Sequence, residues 1–238
     1  VDWAVWKKAD VWGLNESIGT SIDASTDQGF GSSVAFLDSG QYLLAGAPGE
    51  GKVYFYKKGT NGKYTSTSLT AAALSAQGVG FGTTITASDS GYFAVGNPTT
   101  STNTGAVYIY KRTGDTVALI NTFTGSGTGV SFGQSISFSK DGLWLYVGAP
   151  GAGTGGRVYA YGLNSSAFYV VGATGYIDAS DSASGDNFGY SVSCSSDGAQ
   201  VLIGAPYHDT GATDNGAVYI YDRSIESFIG TGSATTQT

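Results

Sequence analysis

The sequence predicts an all-β fold built from repeated four-stranded antiparallel units, and three observations predict it. One pattern recurs four times along the 238 residues: Phe-Gly, an apolar strand, an Asp-containing turn, a second strand ending in Gly-Ala-Pro or Gly-Asn-Pro, and a Val-Tyr-x-Tyr strand. Its opening residues, Phe30, Phe81, Phe132 and Phe188, lie 51, 51 and 56 residues apart, a period that signals stacked supersecondary units. The composition agrees, with 38 Gly, 16 Tyr and only 12% charged residues, which suits short twisted strands joined by tight turns. No stretch reads as a helix.

Taken in order, the chain begins part-way through a unit. Trp3-Ala4-Val5-Trp6-Lys7-Lys8 matches Val53-Tyr54-Phe55-Tyr56-Lys57-Lys58, and Trp12–Ile22 takes the place of a fourth strand, so residues 1–22 read as a half-unit. Complete units follow at 23–70, 71–123, 124–177 and 178–230, within a single repeat domain of residues 1–230. In each, the first strand starts at Phe-Gly, the second ends at the proline, the third is Val-Tyr-x-Tyr, and the fourth is a weaker Ser/Thr-rich segment such as Phe168–Ile177 or Ser227–Gly230. Alternation and β-branched or aromatic enrichment support these strands. Val201-Leu202-Ile203-Gly204 is continuously apolar, as expected of a strand buried on both faces. The turns at Asp38-Ser39-Gly40, Asp89-Ser90-Gly91, Asp141-Gly142 and Asp197-Gly198 carry hairpin chemistry. Pro48, Pro98, Pro150 and Pro206 each stop a second strand, where a missing N–H breaks no ladder. The polar residues 231–238 read as a flexible tail.

Four-stranded units of about fifty residues, with strong inner strands and a weak outer one, fit the blades of a β-propeller. Phe188-Gly189 with Gly204-Ala205-Pro206, and the three earlier copies, resemble the FG-GAP repeats of the integrin α-chain propeller and related cell-surface proteins. The resemblance spans nearly the whole chain and implies a propeller that works in extracellular recognition, without specifying a ligand. Two departures stand out. Such propellers are often seven-bladed, whereas four units and a half are present here. Their calcium-binding repeats carry several Asp or Asn in the first hairpin turn, while each turn here holds one Asp. Calcium needs six to eight oxygens, so no metal is expected in those turns.

The net charge of −7 argues against a nucleic-acid partner. No apolar run approaches the ~20 residues of a membrane span, so no membrane insertion is expected. The chain opens at Val1 with no charged-then-apolar leader, so any signal peptide is expected to have been removed or left out. The single cysteine, Cys194, lies in an alternating strand and is expected to be inert filler.

In propellers of this kind the second-to-third and fourth-to-first loops share one face. That face receives Asp23, Asp27, Glu50, Asp178, Asp181, Asp186, Asp209 and Asp214 against Lys52 and Arg157, while the opposite face is nearly balanced. Solvated loops kept soluble by charge explain much of this. The functional expectation centres on the fourth unit, where Asp178, Asp181 and Asp186 occupy one loop and Tyr207, His208, Asp209 and Asp214 the next. These seven are the candidate ligand-binding residues, and Ca²⁺ in the Asp178–Asp186 loop is the one metal considered. His208, the only histidine, is expected at the surface as an isolated loop residue. The paired tyrosines from Tyr54 and Tyr56 to Tyr219 and Tyr221 alternate at strand period and are expected to pack between blades. Asn15-Glu16-Ser17 and Asn164-Ser165-Ser166 are glycosylation sequons.

The leading functional expectation is a non-catalytic extracellular recognition or adhesion module, with a cell-surface or matrix protein or a glycan as partner. Lectin-like carbohydrate binding is one alternative. The other is a structural subunit of a filament, sheath or viral fibre, self-assembling through the N-terminal half-unit. An enzyme is not expected: no Gly-x-Ser-x-Gly elbow is present and one histidine makes no zinc site.

Overall fold

A computed structural model of the chain describes residues 29–66, 77–164, 168–170, 175–209, 215–223 and 233–235. The first blade comprises β1 (Val34–Leu37), β2 (Tyr42–Ala47), β3 (Lys52–Lys58) and β4 (Tyr64–Ser66). The second comprises β5 (Thr84–Ala87), β6 (Tyr92–Asn97), β7 (Ala106–Thr113) and β8 (Thr116–Thr124). The third holds β9 (Ser135–Phe138), β10 (Trp144–Ala149), β11 (Arg157–Leu163), β12 (Phe168–Val170) and β13 (Tyr176–Ile177). The fourth holds β14 (Ser191–Cys194), β15 (Gln200–Ala205), β16 (Ala217–Asp222) and β17 (Ser233–Thr235). Each blade is an antiparallel meander in sequence order, and in the third the outer strand is split, β12 and β13 both pairing with β11. The short coil Thr100–Asn103 has Ser101 and Thr102 at φ 51° and 59° and is a left-handed turn rather than a right-handed helix.

One expectation is corrected. Residues 233–235, read as part of a flexible tail, form β17 and pair with Val218, Tyr219 and Ile220 of β16. The outer edge of β16 would otherwise carry unpaired backbone groups. Ser227–Gly230, expected to be that strand, lies outside the described residues, as do the half-unit 1–22 and Asn15. The prolines follow the last residue of each second strand, as expected.

Adjacent blades are held by apolar faces meeting face to face. Leu44, Val53 and Phe55 of the first blade pack on Phe81, Phe93, Val95 and Tyr110 of the second. Ala94, Val107 and Ile109 then meet Phe132, Leu145, Val147 and Tyr161 of the third. Tyr146, Val158 and Ala160 meet Phe188, Val201, Ile203, Tyr219 and Tyr221 of the fourth. Fully burying such side chains contributes about 1.5–3 kcal/mol each, so the three interfaces are the core. In every blade the opening Phe meets the first Tyr of the third strand edge-on, as in Phe81–Tyr108 and Phe188–Tyr219 at 5.3 and 5.2 Å. Tyr110, Tyr161, Tyr219 and Tyr221 belong to the clusters between blades, as expected of the repeated tyrosines.

Backbone bonds join the first hairpin turns of successive blades: Asp38 N to Ser88 O at 3.4 Å, Asp89 N to Lys140 O at 2.9 Å, and Lys140 N to Ser196 O at 2.8 Å. Ion pairs between Arg112 and Asp38, Lys57 and Asp115, and Lys140 and Asp89 add to the first two junctions. The first strands of all four blades contribute to one opening of about 360 Å³, lined by Ser32–Val34, Thr83–Ile85, Gln134–Ile136 and Tyr190–Val192. Cys194 packs against the third interface, and burial pushes its thiol pKa up, as suits a filler residue.

Strand β15 departs from expectation. Val201 and Ile203 are fully buried, but Leu202 between them is exposed. Its run of apolar residues has one face in the core and one uncovered.

Candidate functional site

The acidic loop of the fourth unit and the loop after β15 meet at the end of β16, and His208 ties them together. His208 is 3% exposed and Asp186 is 2% exposed. His208 Nδ1 lies 3.0 Å from Asp186 Oδ2, which also accepts the Ala183 amide at 2.8 Å. The ring stands edge-on to Tyr219 at 5.9 Å. Its amide donates to Ala205 O and its carbonyl accepts from Gly216 N, while the Tyr207 amide donates to Asp186 O. A buried carboxylate and imidazole that satisfy each other make a stable bracket for two loops. The expectation of a surface histidine is thus wrong: neighbouring loops cover the ring, and a carboxylate two strands earlier receives its N–H. Asp186 likewise leaves the acidic surface for the interior.

Asp181 sits at the rim of this bracket with its side chain 45% exposed. Oδ1 accepts the Tyr219 hydroxyl at 2.8 Å, and Oδ2 lies 3.5 Å from His208 Nε2. That separation is an ion-pair distance and not a hydrogen bond, so Nε2 is buried without a hydrogen-bond partner. Burial, with Asp181 beside it, pushes the Tyr219 phenol pKa up, which keeps it a donor. Asp178 is turned to the third blade, where Arg157 Nε donates to it at 3.0 Å and the guanidinium stacks on Tyr176 at 3.8 Å. Tyr207 is 48% exposed, and Asp209 is exposed beside the bracket. Asp214 lies outside the described residues. Asn164 is an exposed residue just after β11.

The two bases of this face are both committed: Lys52 to Glu50 at 2.8 Å and Arg157 to Asp178. Glu50 also accepts from Tyr54, and the Lys52 hydrogen bond holds its carboxyl below the ordinary range. Asp181 and Asp209 are exposed carboxylates beside the bracket. Among the described residues no three His, Cys, Asp or Glu side chains gather as metal ligands. With Asp178 on Arg157 and Asp186 on His208, the loop carboxylates point to separate partners. In the first-hairpin turns Asp141 and Asp197 bond their own turn amides, Leu143 N and Ala199 N.

Two participants escaped the sequence reading. Tyr219 looked like any other repeated tyrosine, and Arg157 like a surface charge. Only the neighbouring Asp181 and Asp178 distinguish them, and no spacing rule joins residues 38 and 21 positions apart.

Comparison with known proteins agrees with this architecture. Residues 171–221 match the family model of the FG-GAP repeat. No curated protein matches the chain in sequence. Among solved structures, a candidate 6-phosphogluconolactonase from Bacteroides uniformis is 14% identical, with a TM-score of 0.59 over 86% of this chain and 53% of that one. Hydrazine synthase of Kuenenia stuttgartiensis is 15% identical, with a TM-score of 0.58 over 93% of this chain and 53% of that one. Both are similar in fold, and the fold is that of a β-propeller. The chain matches about half the length of each.

Proposed function

We propose that the chain is a non-catalytic extracellular recognition module that presents the Asp181, Tyr207 and Asp209 loops as its binding surface. The observation that carries this reading is the buried Asp186–His208 bracket, which fixes two loops from beneath while an aromatic ring and carboxylates remain outside. Preorganised loops lose little entropy on binding, which favours recognition. The FG-GAP match of residues 171–221 falls on the same unit and supports it. The enzymes among the solved structures share the fold alone, and fold does not carry activity.

The exposed ring of Tyr207 beside acidic residues favours a second reading, a lectin-like site that stacks a sugar on the ring and bonds its hydroxyls to carboxylates. One screen tests both: an array of glycans and of cell-surface and matrix proteins, probed with Ca²⁺ and with chelator. Binding that falls at least tenfold in Tyr207→Ala and Asp181→Asn, with the circular dichroism unchanged, is the expected outcome. Glycan hits select the second reading, and loss under chelation adds a bridging cation. Binding that ignores both substitutions, or no binding by the folded chain, sinks the proposal.

A further inference from the structure

Every blade but the last is capped by the next. Leu44, Ala94 and Tyr146, then Val53, Val107 and Val158, then Phe55, Ile109 and Ala160 occupy equivalent positions on the trailing faces of the first three blades and are 0–5% exposed. Their counterparts in the fourth blade, Leu202, Val218 and Ile220, are 46, 48 and 44% exposed. On the same face, no described residue takes the place of the following blade's corner. In the first three blades a Cβ added to Gly46, Gly96 or Gly148 would strike the Phe-Gly carbonyl of the following blade, at 2.1, 2.5 and 2.0 Å from the oxygens of Gly82, Gly133 and Gly189. Among the described residues, a Cβ on Gly204 meets first the atoms of Ser191 in its own blade. The hydroxyls of Ser33, Thr84 and Ser135 donate to those three carbonyls at 2.7, 2.8 and 2.8 Å. Ser191, the fourth of the series, has no such carbonyl among the described residues. It lines instead a cavity of about 380 Å³ with Gly204, Pro206, Gly216 and Val218, where the next corner would insert.

The first blade carries the matching corner, and no described residue seats it. A Cβ on Gly82, Gly133 or Gly189 would touch the preceding blade's backbone, whereas one on Gly31 meets no described residue within 4 Å. Phe30 is half-buried where Phe81, Phe132 and Phe188 are 0–1% exposed. Behind it, Val34 and Phe36 of β1 are 63 and 62% exposed, while the equivalent Ile85, Ile136 and Val192 lie against a neighbouring blade's core. Among the described residues, one chain thus presents both halves of the interface that it repeats three times internally.

We propose that a second copy of this chain docks its first blade, led by Phe30-Gly31, onto the trailing face of the fourth blade, so that the chain self-associates head to tail through a fourth copy of its own interblade interface. The occupant follows from continuity: the seat has the glycine, the hydroxyl donor and the apolar rows of three occupied seats, and the matching corner is the first blade's own. Heterologous contacts of this kind close into a ring when the rotation allows and extend otherwise. In the internal interfaces the first strand of each blade lies against the second strand of the blade before, β5 on β2, β9 on β6 and β14 on β10. Val34 of the incoming copy therefore faces Leu202.

The test is sedimentation velocity of the 238-residue chain over a hundredfold concentration range. The expected result is a concentration-dependent shift from one chain to two or more. Leu202→Lys and Val34→Glu, both exposed and so tolerated by the fold, are each expected to weaken association at least tenfold, and mixing the two variants to restore a pair through the Lys–Glu contact. A chain that stays single throughout, or association that ignores both substitutions, overturns the proposal. Monomers in which Leu202→Lys lowers the urea midpoint overturn it too, since the faces would then close within one chain.

Discussion

Gly148→Ala puts the blade-to-blade contact to a quantitative test, with Gly204→Ala as its internal control. Neither glycine has a left-handed φ, so backbone strain does not enter. At position 148 the new Cβ would lie 2.0 Å from Gly189 O and 3.0 Å from Gly189 C, both backbone atoms of the fourth blade, and 2.2 Å from Ser135 Oγ. The blades must separate by about 1 Å to relieve this. Overpacking of that kind costs about 1–3 kcal/mol. Losing the 2.8 Å bond from Ser135 Oγ to Gly189 O adds about 1 kcal/mol. The sum is about 3 kcal/mol. At position 204 the nearest atom is Ser191 Oγ at 2.3 Å, with nothing else closer than 3.7 Å. A hydroxyl can rotate away, so the cost stays under about 1 kcal/mol. Urea unfolding followed by tryptophan fluorescence, at a concentration where the chain is single, reads the difference. With a slope of about 2 kcal/mol per molar, Gly148→Ala is expected to lower the midpoint by more than 1 M and Gly204→Ala by less than 0.5 M, values worked from these same costs. Equal shifts would refute the reasoning, because the two sites differ only in having a blade behind them.

Two further outcomes follow from the same structure. Asp186→Ala leaves His208 Nδ1 buried without an acceptor and removes the acceptor of the Ala183 amide, and is expected to cost about 2–4 kcal/mol; Asp186→Asn, which keeps the shape and an acceptor oxygen, should lose markedly less, and equal losses would show that the bracket is not what the carboxylate holds. At high pH, burial pushes the Tyr221 phenol up to about 12 and raises Tyr110, Tyr146 and Tyr161 as well. Since these folded-state values lie above the unfolded ~10, their contribution is intact below pH ~10 and drains away as the pH rises towards 12. Ultraviolet titration should show a class of tyrosines ionising only as the fold is lost, and smooth ionisation of all 16 near pH 10 would contradict it.

Much of the fold was legible because each signal is local and repeated. Asp-Ser-Gly turns, prolines at strand ends and Tyr-x-Tyr alternation act within a few residues, so each unit announces its own four strands. The Phe-Gly and Gly-Ala-Pro corners carry the order of the blades as well. The site was legible only as a neighbourhood: the sequence brought Asp178, Asp181, Asp186, Tyr207 and His208 into adjacent loops but could not sort them.

That sorting belongs to the tertiary structure. Whether a carboxylate faces water or an imidazole depends on which loop folds over it, and burial made a bracket of Asp186 and His208 while leaving Asp181 at the rim. The same holds for Leu202. By sequence, Val201-Leu202-Ile203-Gly204 determined an apolar strand and nothing about its two sides. Only the packed blades decided that one side is core and the other exposed, because an interface needs two surfaces and a strand encodes one.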